Sequence, residues 1–228
     1  MMGKKITAYS NIERFFHGHI VHFIAFLTIS GLPVLSHKFD FIAYGIGIPV
    51  AAFTSNQDVL SAGMSFLRFI HYSSAFLLTL LAIPYVFLML VKFTKLSMWP
   101  DKWGLKATVD GTKEMWKFYI KQEHATFGKM NTGQKFFAQG IVLCMIVLTI
   151  SGYMLLFRDL FSIEIVAYAR GAHAISFIFI GLLLLIHIYL ATHPTNKASY
   201  KAMFKTGEMD EEYVKEHHSI WYKKIKTK

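Results

Sequence analysis

The sequence predicts an all-α membrane protein, a bundle of four transmembrane helices made from a duplicated helical hairpin. Three observations carry that prediction: four long apolar stretches, a chain too poor in charge to clothe a soluble globule, and an internal repeat. Of the 228 residues, 54% are apolar, 16% aromatic and only 17% charged, and the mean hydropathy is +0.40. Soluble domains carry about 25% charged residues, so water is not this chain's main solvent, and the same apolar content excludes disorder. The remaining charge is lopsided, 24 Lys and Arg against 14 Asp and Glu. In so apolar a chain, that excess does not point to nucleic acid.

A hydrocarbon core of about 30 Å takes about 20 helical residues to cross. The stretches that qualify are Phe15 to Leu35, Met64 to Val91, Phe136 to Phe157 and Ala169 to Ala191. The second is long enough to tilt, and Pro84 is a place for a kink. A shorter apolar run, Phe39 to Phe53, is interrupted by Gly45, Gly47 and Pro49 and reads as an interfacial or re-entrant loop. No small-residue cleavage site follows a short apolar core near the start, so the first span is expected to be retained. Residues 1–228 are read as a single membrane domain.

Orientation follows from the cations. The N-terminal tail carries 3 Lys or Arg, the loop from Lys92 through Lys135 carries 9, and the tail after His193 carries 8; only Lys38, Arg68, Arg158 and Arg170 lie on the other side. Both termini and the central loop are therefore expected in the cytoplasm. Trp99, Trp103, Trp116, Tyr119, Trp221 and Tyr222 flank the spans on that side, as aromatic residues do at headgroup level. Lys113, Lys117 and Lys121 form a stripe at helical spacing away from Met115, Trp116 and Tyr119. That pattern suits a helix on the membrane surface or a solvated loop helix.

The repeat is visible without a gap. Arg14 to Gly31 (RFFHGHIVHFIAFLTISG) and Lys135 to Gly152 (KFFAQGIVLCMIVLTISG), offset by 121, agree at 9 of 18 positions, and at an offset of 102 Arg68-x-x-His71 falls on Arg170-x-x-His173. First and third spans are thus equivalent, as are second and fourth, and equivalent residues share a depth.

An ionisable residue inside a span is costly and marks function by default. His17, His19 and His22 lie in the first span, His71 in the second, and His173 and His187 in the fourth. His173 and His187 are 14 residues apart, about 21 Å of rise and nearly four whole turns, so both point to the same side of one helix. His71 matches the outer depth, and the first-span histidines match the inner one. Two bis-histidine haems, one per leaflet, follow from this spacing. The single Cys144 excludes a c-type attachment. The outer pair His71 and His173 is symmetric under the repeat. The inner pair is not, since His17 corresponds to Ala138 and His187 to Tyr85. Other readings exist for single residues. His19 or His22 can bond a backbone carbonyl on a neighbouring helix, and zinc or copper ligation wants more closely clustered ligands. Arg68 and Arg170, one turn outward of the outer histidines, suit haem propionates or snorkelling. His37, His124, His193, His217 and His218 are expected to be solvated.

The run Glu13-Arg14-Phe15-Phe16-His17 with Ser30-Gly31, the Arg68-x-x-His71 pair, Asn131-Thr132-Gly133-Gln134-Lys135 opening the third span, His173 with His187, and His217-His218-x-x-Trp221-Tyr222 resemble the cytochrome b (gamma) subunit of respiratory formate dehydrogenases. The resemblance implies a dihaem b-type subunit docked to an outward-facing iron-sulfur subunit and, beyond it, a catalytic subunit that oxidises formate. It implies that His71 and His173 ligate the outer haem and His17 and His187 the inner one. It also implies that Asn131, Gly133 and Gln134 bind a quinone, menaquinone or ubiquinone, which the chain reduces with protons from the cytoplasm. From the residues alone, Asn131 or Thr132 reads as a helix N-cap and Gly133 as part of the turn. Competing functions are a cytochrome b subunit of a hydrogenase or a thiosulfate or polysulfide reductase, and a His-lined metal or proton transporter.

Overall fold

A computed structural model describes residues 4–54, 58–91, 97–99, 104–121, 123 and 127–227. Among them four helices are long and apolar enough to cross a membrane: α1 (Asn11–Leu35), α3 (Val59–Val91), α5 (Thr132–Leu156) and α6 (Ile163–Thr192). They match the four expected spans but begin earlier, at 11, 59, 132 and 163 rather than 15, 64, 136 and 169. The reason is capping, which hydropathy does not register. At α1 the Ser10 hydroxyl accepts the Glu13 N–H at 3.2 Å while the Glu13 carboxylate accepts the Ser10 N–H at 2.8 Å. At α5 Asn131 and Gln134 make the same reciprocal pair at 2.8 and 2.9 Å, and Ser162 opens α6.

The chain divides into two compact units. Residues 15–91 form one. The other comprises the remaining described residues and holds the hairpin of α5 and α6. Each unit thus contains one copy of the duplicated hairpin.

The run from Phe39 to Phe53 is a regular helix, α2 (Asp40–Thr54), and not the loop expected of it. Gly47 is a contact point rather than a break. A Cβ on Gly47 would overlap the Val59 carbonyl oxygen, and one on Gly63 of α3 would overlap the Ala43 carbonyl oxygen, so backbone lies against backbone. Ala43, Ala51, Ala62 and Leu67 are buried along the same seam. Small residues that let helix backbones approach in this way are the usual means of helix association in lipid.

In the second unit α4 (Leu105–Trp116) continues as a wider turn through Lys121. Lys113, Lys117 and Lys121 are exposed, and the opposite face packs on the start of α5, where a Cβ on Gly111 would overlap the Thr132 hydroxyl and one on Gly133 the Met115 sulfur. The chain ends beyond α6 build a small core of their own. β1 (Lys5–Thr7) pairs antiparallel with β2 (Glu208–Asp210) over Ala8, Ala202, Met209 and Val214. α7 (Lys197–Lys201) precedes β2, and α8 (Glu211–His217) and α9 (Ser219–Lys226) follow it. Arg14, in the same unit, donates to the Met203 and Lys205 carbonyls at 3.1 and 2.7 Å. Tyr119, Trp221 and Tyr222 are half-buried in packing or hydrogen bonds, so of the expected headgroup-level aromatics Trp116 is the exposed one, and Trp103 lies outside the described residues.

The α2–α3 seam gives a testable contrast. Gly47→Ala and Gly63→Ala should each lower the thermal unfolding temperature in mild detergent, whereas Gly45→Ala, where a Cβ meets nothing within 4 Å, should leave it unchanged or raise it slightly. Equal behaviour of all three would contradict the seam.

Candidate functional site

The two histidines placed at one depth by the repeat sit in identical settings, one in each unit. In the first hairpin the His71 Nδ1 lies 3.0 Å from the Ser30 hydroxyl; in the second, the His173 Nδ1 lies 3.0 Å from the Ser151 hydroxyl. Both serines are almost fully buried, at 1% and 3% exposure. Each hydroxyl proton is already directed to the carbonyl four residues back, Phe26 at 2.6 Å and Val147 at 2.5 Å. The oxygen is therefore the acceptor and the imidazole Nδ1 carries the proton. This tautomer puts the lone pair on Nε2, the nitrogen that can ligate a metal.

The neighbouring glycine completes the arrangement. A Cβ on Gly31 would stand 3.3 Å from the His71 Cε1, and one on Gly152 would stand 3.3 Å from the His173 Cε1. Any side chain at either position would press on the ring edge. Ser30-Gly31 and Ser151-Gly152 are the ends of the two LTISG runs. Their recurrence in register is the sequence signal for this pair, and the facing histidine gives the Ser and Gly their task.

The other level shows the same correspondence with one exchange. His187 stacks on Phe137 with ring centroids 4.4 Å apart and planes 7° from parallel. At the repeat-equivalent positions Phe16 meets Tyr85 at 5.4 Å. A tyrosine thus fills, in the first hairpin, the place that a histidine fills in the second. On α1, His17 is half-buried, whereas His19 and His22 are exposed, with Nδ1 on the backbone carbonyls of Phe15 at 2.9 Å and Gly18 at 2.6 Å. The carbonyl-bonding alternative is what these two do, on their own helix rather than on a neighbour.

Asn131 and Gln134 spend their backbone-facing atoms on the α5 cap, and the Asn131 amide also donates to the Tyr119 hydroxyl at 3.2 Å. Asn196 donates to that same hydroxyl at 3.2 Å. Together with Phe118, Phe127, Tyr213, His217 and His218, these side chains line a small recess at the start of α5. Gly133 supports it by admitting Met115. The expectation that the tail histidines are solvated is corrected here. His193 accepts the Thr195 N–H, His217 stacks on Tyr213 at 4.3 Å, and His218 bonds the Gly128 carbonyl at 2.9 Å. All three are half-buried because the chain ends fold into a core that no span-based reading reveals. His37 is exposed beside Asp40, and His124 lies outside the described residues.

Arg68 and Arg170 are exposed, each one turn before its histidine. Among the described residues no group of three or more His, Cys, Asp and Glu side chains is arranged to hold a metal ion.

Comparison with known proteins matches residues 8–206 to the family model for prokaryotic cytochrome b561. The chain is also 33% identical, over 104 residues, to the cytochrome b556(Fdn) subunit of the nitrate-inducible formate dehydrogenase of Escherichia coli (strain K12) and to its counterpart in Shigella flexneri. That alignment covers 44% of this chain and 46% of each relative, so the chain spans about half the length of the curated relatives it matches.

The recess predicts a pH dependence. Burial pushes the His218 pKa below its ordinary value, more than the Gly128 hydrogen bond raises it. The unfolded chain then binds the proton more readily than the folded one, so stability is full above the unfolded pKa of about 6.5 and is lost as pH falls toward the folded value. Thermal unfolding in detergent should weaken between pH 7.5 and 5.5, and His218→Gln should flatten that slope; an unchanged slope would contradict it.

Proposed function

Because the chain belongs to the prokaryotic cytochrome b561 family of helical, haem-binding electron-transfer proteins of membranes, we propose that it is the membrane-anchoring cytochrome b subunit of a formate dehydrogenase. On this reading residues 1–228 act as one domain of the bacterial inner membrane, with both termini in the cytoplasm. The chain takes electrons from an outward-facing iron-sulfur subunit, itself docked to the catalytic subunit, and delivers them to menaquinone or ubiquinone.

The observation that carries the reading is the paired serine–histidine contact. The fit to haem rests on three features of that contact: the proton on Nδ1, a nitrogen lone pair on Nε2, and a glycine that leaves the ring edge room. His71 and His173 hold the outer haem b, and His17 and His187 hold the inner one. Each haem, when bound, supplies an iron that gains and loses one electron. His71 with His173, and His17 with His187, would each hold one haem and leave its iron no open position for oxygen. Arg68 and Arg170, one helical turn before His71 and His173, would pair with the haem propionates. Asn131 and Gln134, which line the recess at the start of α5, and the neighbouring Gly133 are assigned to the quinone, which takes its protons from the lysine-rich side. The half-buried His17, set against the exposed His19 and His22, supports its choice among the three.

A reduced-minus-oxidised spectrum of the purified protein tests the assignment. His71→Ala and His173→Ala should each remove the same one of two b-type signals, His17→Ala and His187→Ala the other, and His19→Ala and His22→Ala neither. Both signals persisting in His71→Ala and His173→Ala would refute the outer ligand set. Formate should reduce both haems in membranes; reduction by hydrogen and not by formate would move the chain to a hydrogenase.

A further inference from the structure

We infer that Ser30 and Ser151 are positioning residues that set the reduction potential of the outer haem by holding the Nδ1 protons of its two imidazole ligands. The inference rests on the proposed ligation by His71 and His173 and adds a task for two residues that ligate nothing. Both hydroxyls are buried in membrane-spanning helices, and each lies 3.0 Å from its imidazole nitrogen. In a membrane-spanning helix bulk water does not compete with such a contact, so the hydroxyl oxygen is the acceptor that the ring meets.

The direction of the effect follows from the hydrogen-bond chain. Each serine proton is committed to a helix carbonyl, at 2.6 Å for Ser30 and 2.5 Å for Ser151. A hydroxyl that donates in this way becomes a better acceptor, because hydrogen bonds in series polarise one another. A stronger acceptor on Nδ1–H raises the basicity of Nε2, which favours the more positively charged state of the iron. The serines therefore lower the outer potential, and the repeat gives one such contribution from each hairpin. At the inner level His187 meets a phenyl ring instead. His187 lies 14 residues along α6 from His173, about 21 Å, so changes at Ser30 and Ser151 should leave the inner centre alone.

The test is a potentiometric titration of haem absorbance on the full chain in its native complex or membranes. Ser30→Ala and Ser151→Ala should each retain both haems and shift the outer midpoint to more positive potential. The double variant should shift further, the inner midpoint should stay in place, and Ser30→Thr and Ser151→Thr, which keep the hydroxyl, should titrate near the parent. An unchanged outer midpoint with haem bound in both alanine variants would overturn the inference. Should the alanine variants lose the outer haem, its retention in the threonine variants supports a role for the hydroxyl. Loss in both sets overturns that role in favour of packing volume alone. Failure of the ligand assignment is distinguishable, because it shows as two haems retained in His71→Ala.

Discussion

An imidazole inside a bilayer must have both of its nitrogens accounted for, since no water is there to satisfy either. In this protein the first half of that requirement is met in the same way twice. A buried serine, its own proton spent on the helix backbone, accepts Nδ1–H of the histidine opposite, and the adjacent glycine makes room for the ring. Everything proposed about the other nitrogen, and so about the cofactor, depends on that first contact fixing the tautomer and the ring's orientation.

The duplicated hairpin explains why the arrangement recurs, and its departures from symmetry show where the halves have diverged. One level keeps Ser, Gly and His in both copies. The other keeps the aromatic pairing but exchanges His187 for Tyr85, so Phe137 stacks on an imidazole where Phe16 meets a phenol. A pair of sites related by the repeat thus becomes one site of each kind. On the proposed assignment His17, which has Ala138 as its repeat counterpart, shares the inner haem with His187, so the inner site has no symmetric equivalent.

Much of this was legible in the sequence because lipid imposes a simple rule: four helices must be long and apolar, and an intramembrane histidine must have a reason. The spans, the repeat and the equivalence of His71 with His173 all followed from that. What escaped was local. Caps at Ser10, Asn131 and Ser162 extend helices into polar sequence that hydropathy passes over. Gly45, Gly47 and Pro49 looked like breaks in α2, although Gly47 and Gly63 are where two backbones touch. His193, His217 and His218 looked solvated because nothing in a tail's composition shows that it folds back over Val214 and Met209 into a core. Ser30 and Ser151 were in plain view inside LTISG, but a serine in a span gives no sign of its partner until the facing helix is known.

The central claim is that four single histidines, set at two depths, hold two b-type haems. Its most direct measurement is the amount of haem per chain: a pyridine haemochrome assay on purified protein, produced with adequate iron and porphyrin supply. The account predicts two haem b per polypeptide, both low-spin by electron paramagnetic resonance. A colourless preparation, or one haem per chain in fully folded protein, would contradict it.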